Sequence, residues 1–174
     1  VEDPERKRIY DHLVVSAYAL TDRVSDELAA PVSPTQYYGW KRYATASRAN
    51  ETLASQCDRC DQALNDLSLA SLLSGQEQDA AKLKSLKRRV EEEAGTLFMD
   101  VWTNYPAREE DYATLRDALY SNRFPDDLVG LLISALLLNL LHRFDEEKLL
   151  LLLDGYRQES PEIQMRSLCA ALIV

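Results

Sequence analysis

Apolar residues recur along this chain at spacings of three and four, with little strict alternation. That is the period of a helix with one buried face. The first stripe is Ile9, Leu13, Ala17, Leu20, Val24 and Leu28. It predicts a helix from about Pro4 to Ala29, opened by Pro4 and Glu5 and stopped by Pro31 and Pro34. A second helix is expected from Thr35 to Leu73. Its seam is Tyr43, Ala46, Asn50, Leu53, Cys57, Cys60, Leu64 and Leu67, alternating three and four like the a and d positions of a heptad. Ser74-Gly75 would end it, with Gly75 placed for a left-handed cap. A third helix is expected from Glu77 to Asn104, striped by Leu83, Leu86, Val90, Ala94, Leu97 and Val101 and widened by Phe98 and Trp102. Long striped helices joined by a short connection pack antiparallel, so residues 35–104 read as a long helical hairpin.

Tyr105-Pro106 breaks the third helix, and the pattern then shortens to helices at about 108–121, 126–143, 145–157 and 161–174. This region carries an internal repeat. Shifting residues 112–138 by 36 places lays Leu115 on Leu151, Tyr120 on Tyr156, Pro125 on Pro161, Leu132 on Leu168, Ala135 on Ala171 and Leu136 on Leu172. A period of roughly 30–45 residues with two helices per unit is the mark of an α-solenoid. Through Tyr120, Pro125 and the Leu-rich 128–141, then Tyr156, Pro161 and 163–174, residues 108–174 resemble HEAT or armadillo-type repeats. The resemblance implies an elongated, non-catalytic binding scaffold and names no partner.

The fold class expected is therefore all-α, a long antiparallel helical hairpin followed by short HEAT-like helix pairs. Residues 1–106 would hold the N-terminal helix and the hairpin, and residues 107–174 the repeats. The chain opens on Val1 and stops at Ala170-Ala171-Leu172-Ile173-Val174, inside an apolar helical run. Both ends read as those of a fragment, with the repeats expected to continue.

Composition narrows the function. Apolar residues make up 46% and charged residues 28%, ordinary for a globular chain. Five glycines and six prolines are few for a turn-rich β fold or a glycine-rich phosphate loop. Twenty basic residues against 29 acidic ones give a net charge of −9, the wrong sign for a nucleic-acid partner. The basic cluster Lys82, Lys84, Lys87, Arg88 and Arg89 is followed at once by Glu91, Glu92 and Glu93 and reads as a solvated face. Leu128 to Leu141 is only 14 residues long and contains Asn139, whereas a membrane span takes about 20, so no membrane association is expected. The charged N-terminal residues lack a signal peptide's apolar core, and three cysteines make no disulfide framework. A cytoplasmic location is expected.

Candidate chemistry is thin. Cys57-Asp58-Arg59-Cys60 is a CxxC, but a zinc site needs four ligands. Only Cys169, His12 and His142 remain, each on a different helix. A redox CxxC belongs at a helix N-terminus, and this one lies mid-helix on an apolar seam. Cys57 and Cys60 are expected to be buried, reduced and unliganded. No G-x-S-x-G, P-loop, H-E-x-x-H or EF-hand pattern occurs. His142 suits a helix C-terminus, and His12 has only Asp11 beside it. No catalytic residue, metal or cofactor is expected, and the chain does not read as an enzyme.

One cluster stands out: Tyr37, Tyr38, Trp40 and Tyr43, beside Lys41 and Arg42. Its rings can cap the junction between the first helix and the hairpin. Alternatively, Tyr38, Trp40, Lys41 and Arg42 form a partner-binding patch, because Tyr, Trp and Arg dominate binding hot spots. The function expected is a helical-repeat scaffold for a protein or peptide partner. The alternative is a helical regulatory domain holding a small ligand in a cleft between the hairpin and the repeats.

Overall fold

The computed structural model describes residues 3–47, 49–73 and 79–174. Among the described residues all regular structure is helical. The helices are α1 (Pro4–Ala29), α2 (Gln36–Ser47), α3 (Leu53–Leu73), α4 (Asp79–Thr103), α5 (Glu109–Tyr120), α6 (Asp126–His142), α7 (Glu146–Asp154) and α8 (Pro161–Ile173), with a 3-10 turn at Gly155–Arg157 after α7. The chain forms two compact units, residues 1–47 and 48–174.

The first unit holds α1 and α2. Asp3 caps α1 by accepting the Glu5 amide at 3.0 Å. The C-terminal end of α1 meets α2 through Asp26, whose buried carboxylate accepts the Tyr38 hydroxyl at 2.8 Å and pairs with Lys41. The apolar stripe of α1 has the expected spacing, but Ile9, Leu13, Leu20, Val24 and Leu28 remain 46–70% exposed.

The second unit begins with a departure from the expected hairpin. A continuous helix from Thr35 to Leu73 does not form; α2 ends at Ser47 and α3 starts at Leu53. Thr52 and Ser55 make the new start. The Ser55 amide donates to Thr52 Oγ1 and the Thr52 amide donates to Ser55 Oγ, both at 3.1 Å. This reciprocal box satisfies amides that have no partner at a helix N-terminus. The heptad seam is accordingly cut: Tyr43 is exposed, while Leu53, Cys57 and Cys60 are buried. The hairpin is thus α3–α4. The ion pairs Arg59–Glu93 (3.3 Å) and Asp66–Arg89 (2.9 Å) step in opposite directions along the two helices, so they run antiparallel. Ser74-Gly75 and the expected helix start at Glu77 lie outside the described residues.

Beyond Pro106 the helix boundaries follow the pattern within two residues, except that the 145–157 segment tightens to 3-10 after Asp154. Packing follows two rows. Helix α4 lies against α6 and α6 against α8, while α3 lies against α5 and α5 against α7. The α6–α8 contacts Asp126–Ser160 and Gly130–Arg166 advance together along both helices, which makes the pair parallel. Leu97, Val101, Leu115, Leu119, Leu132, Ile133, Leu136, Leu151 and Leu152 form the core between the rows. The α4–α6 packing crosses Pro106, and the second compact unit spans both sides of the 106/107 division read from the sequence.

The 36-residue register holds for Leu115 and Leu151, which are both buried, and not for the second helices. Leu132 and Leu136 are fully buried, whereas Leu168 is only partly so and Leu172 is 80% exposed. Burial in α8 instead falls on Ile163, Ser167 and Ala170, which match Val129, Ile133 and Leu136 at a shift of 34. The reason is one of neighbours: α6 is packed by α4, α5, α7 and α8, whereas α8 is packed by α6, α7 and the 3-10 turn.

Gly155 fixes the last connection. A Cβ there would sit 2.1 Å from Ser167 Oγ and 2.9 Å from the Tyr120 hydroxyl, too close for any real contact. At Gly130 an added Cβ meets only the Arg166 side chain, at 3.0 Å, and that chain can swing aside. Gly155→Ala is expected to cost about 1–3 kcal/mol by overpacking. Gly130→Ala should cost less, and urea titration of both variants compares them.

Candidate functional site

Helix α5 buries Asp111, Leu115, Ala118 and Leu119. Its start is held by Asp111, whose carboxylate accepts the Arg108 amide at 3.0 Å. The other face of α5 lines a cleft of about 540 Å³, with Glu109, Tyr112, Ala113, Arg116, Asp117 and Tyr120 facing Glu147 and Leu151 of α7. Three carboxylates line it against one guanidinium, and Arg116 is paired with Asp154. The Tyr112 hydroxyl donates to Asp145 Oδ2 at 3.0 Å, and the Tyr120 hydroxyl donates to the Leu151 carbonyl at 2.6 Å. Burial, then the Asp145 charge, pushes the Tyr112 phenol well above its ordinary range; burial pushes Tyr120 to about 12. Both remain neutral donors near neutral pH. Ser121 Oγ donates to the Asp117 carbonyl at 2.6 Å.

Behind the cleft wall lies a buried charge that sequence reasoning missed. Lys148, in the first turn of α7, is fully buried. Its Nζ donates to the Asn104 carbonyl and to Asn139 Oδ1 (2.9 Å), with Asp145 Oδ2 at 3.7 Å. Asn139 Nδ2 in turn donates to the carbonyls of Trp102 (2.7 Å) and Asn104 (3.1 Å). The cluster ties the end of α4 to α6 and α7. Through Asp145 it also reaches Tyr112. The available signal was a polar residue inside an otherwise apolar run: Asn139 in 128–141, Lys148 beside Leu149–Leu153.

The residues of the expected aromatic patch, Tyr38, Trp40, Lys41 and Arg42, all lie on α2. Tyr38 is buried on Asp26, and Tyr37 is buried with its ring edge-on to Tyr38 at 5.0 Å. Lys41 pairs with Asp26 and lies 5.6 Å above the Tyr37 ring. Arg42 donates to the carbonyls of Ala30 and Ser33 at the end of α1. Tyr38, Lys41 and Arg42 thus make the contacts of a helix corner. Trp40 is half-buried, with Tyr43 at 5.0 Å. The α1–α2 corner and the cleft draw on separate residues.

Cys57 and Cys60 are buried free thiols, as their seam position implied, and Cys169 is exposed. Burial pushes Cys57 up to about 12 and Cys60 to about 11, which suppresses the thiolate that metal binding or exchange requires. The sign for stability follows. Below about pH 9 the thiols are protonated in both folded and unfolded chains. Above it the unfolded thiols ionise first, and stability falls by up to about 1.4 kcal/mol per pH unit per thiol until the folded values are reached. Under reducing conditions the denaturation midpoint should drop between pH 9 and 11. Cys57→Ala with Cys60→Ala should make that drop shallower, the remainder coming from the raised Tyr112 and Tyr120 phenols, and an unchanged slope would contradict it.

His12 is exposed and His142 half-buried. Lys82, Lys84, Lys87, Arg88 and Arg89 are exposed, with Arg88 paired to Glu92 at 2.7 Å. Among the described residues no group of three or more His, Cys, Asp or Glu could hold a metal ion, and no helix is long and apolar enough to cross a membrane. Compared with protein-family models, curated proteins and solved structures, this chain matches none of them.

Proposed function

We propose that the second unit is a short α-solenoid of the HEAT or armadillo type, acting in the cytoplasm as a non-catalytic scaffold for a protein or peptide partner. The observation that carries this reading is the two-row packing: α3, α5 and α7 in one row, α4, α6 and α8 in the other. Each helix pair buries its apolar face on the next, the organising principle of helical repeats. Such stacks use surface grooves to hold extended partners, and the α5–α7 cleft is one. Its carboxylates and tyrosines favour a segment bearing Lys or Arg. The alternative, a small ligand held between the hairpin and the repeats, gains nothing from this cleft, which lies between α5 and α7.

A photo-crosslinking residue at Ala113, on the cleft wall, is expected to yield a discrete protein adduct in cells that make this chain. The same residue at Lys84 should yield none. Adducts of equal yield at both positions, or of small-molecule mass at Ala113, would contradict the reading.

A further inference from the structure

The α5–α7 cleft is uneven in charge along its length. Toward the C-terminal end of α5 its ions are used up within the chain. Arg116 of α5 reaches Asp154 of α7, Arg157 lies 3.9 Å from the same carboxylate, and Asp117 takes Arg123 at 3.4 Å. At the other end, around Tyr112, two carboxylates stand without a cation. Glu109 lies one turn before Tyr112 on α5, and Glu147 lies two residues after Asp145, which holds the Tyr112 hydroxyl. Both line the cleft and both are exposed. After burial and Asp145, both charges add to the upward push on the Tyr112 phenol, so both lie near its hydroxyl. Among the described residues neither Glu109 nor Glu147 has an ion pair. The nearest cations in sequence are turned elsewhere. Arg108 binds Glu110 (2.9 Å) and Asp111 (3.3 Å), and the buried Lys148 ammonium points to Asn104 and Asn139.

The paired end shows how the cleft accommodates a guanidinium. There one arginine crosses from α5 to a carboxylate of α7, one turn from Tyr120. The Tyr112 end has the same parts without the arginine: a ring held by its hydrogen bond to Asp145, and a carboxylate on each wall. A planar guanidinium carries donors on more than one edge, so it can meet both carboxylates and lie on the ring at once. A lysine ammonium is a point charge and makes no such fork. Arg116, one turn along α5 from Tyr112, repels a second cation from the middle of the cleft.

We propose that the Glu109–Glu147 end of the cleft seats one arginine side chain of the bound segment, its guanidinium between the two carboxylates and over the Tyr112 ring. This rests on the scaffold reading given above. That reading brings a basic segment into the cleft; the unpaired carboxylates set which basic residue it carries and at which end. Arg116 sets the direction, because it keeps the segment's positive charge at the Tyr112 end.

The probe is a five-residue peptide, arginine flanked by alanines with both termini blocked, so that the guanidinium is its only charge. It is titrated into the isotope-labelled full chain and followed by NMR. Saturable shifts are expected at the amides of Tyr112, Ala113 and Glu147. Glu109→Gln with Glu147→Gln should weaken binding by about tenfold or more. Glu91→Gln with Glu159→Gln removes the same two charges from exposed sites outside the cleft and should change binding by less than about twofold. All four positions are exposed, so the circular dichroism of these variants should match wild type. Lysine in place of arginine in the peptide should bind about threefold more weakly, or worse. Arg116→Gln should extend the shifts to Tyr120, because Asp154 is then released to take a cation. Shifts that survive the double glutamine variant in the cleft, equal binding of the lysine peptide, or no saturable shift in the cleft would each overturn the inference. The Ala113 adduct forms with any bound protein whatever its charge, so the two ideas fail separately. An adduct without arginine binding ends the seat and not the scaffold, and arginine binding without an adduct does the reverse.

Discussion

Lys148→Ala is expected to lower the unfolding free energy by about 3–5 kcal/mol, the usual loss when one partner of a buried ionic cluster is removed. The ammonium is fully buried, with the Asn104 carbonyl, Asn139 Oδ1 and Asp145 around it. Without it, Asn139 Oδ1 loses its donor, and the Asn104 carbonyl and Asp145 Oδ2 are left with the Asn139 amide and the Tyr112 hydroxyl. Lys148→Met keeps the stem's volume and should cost nearly as much, which separates lost charge from lost packing. Asn139→Leu alone should also destabilise, because the Trp102 and Asn104 carbonyls lose the Asn139 amide. Adding it to Lys148→Met should cost less than the sum of the two single losses, because the hydrogen bond between the two side chains is lost only once. Urea denaturation of the wild type, Lys148→Met, Asn139→Leu and the double variant completes the cycle. Strict additivity would mean that Lys148 and Asn139 act independently, against the 2.9 Å contact between them.

Leu132→Ala is expected to cost about 2–5 kcal/mol. Leu132 is wholly buried in α6, which packs on both α4 and α8. Leu168→Ala, its counterpart by sequence, should cost clearly less because Leu168 is half-buried. Lys84→Ala, on the exposed face of α4, should stay within about 0.5 kcal/mol of wild type. Equal losses at Leu132 and Leu168 would mean that α8 is enclosed as fully as α6.

Helix boundaries marked by proline or an acidic first turn were legible, as at Pro4, Asp126 and Pro161. So was the burial of Cys57 and Cys60, because a three-and-four spacing fixes which face they share. The break before α3 was not. The heptad spacing runs through Asn50 without interruption, and the Thr52–Ser55 box uses serine where glutamate or glutamine is the familiar sign. Periodicity also says which residues share a face, not what covers it. The α1 and α4 stripes share the same three-and-four spacing, yet Ile9, Leu13 and Leu20 of α1 are exposed while Leu97 and Val101 of α4 are core. Lys148 was read past because lysine among leucines ordinarily snorkels to water. Its burial depends on the Asn104 carbonyl, 44 residues away, and on the Asn139 side chain of the preceding helix. The cleft likewise depends on α5 and α7 coming together, which no local pattern specifies.

The central claim is that helix pairs stack in open rows and do not close into a bundle. Pulsed spin-label distances among Met99 on α4, Leu138 on α6 and Ile173 on α8 test it directly, with Cys169→Ala removing the exposed native thiol. Adjacent packed helices lie about 8–10 Å apart, so open rows place α4 and α8 about twice that distance from one another. The predicted result is two short distances, α4–α6 and α6–α8, and an α4–α8 distance close to their sum. An α4–α8 distance no longer than the other two would mean a closed bundle and would contradict the account.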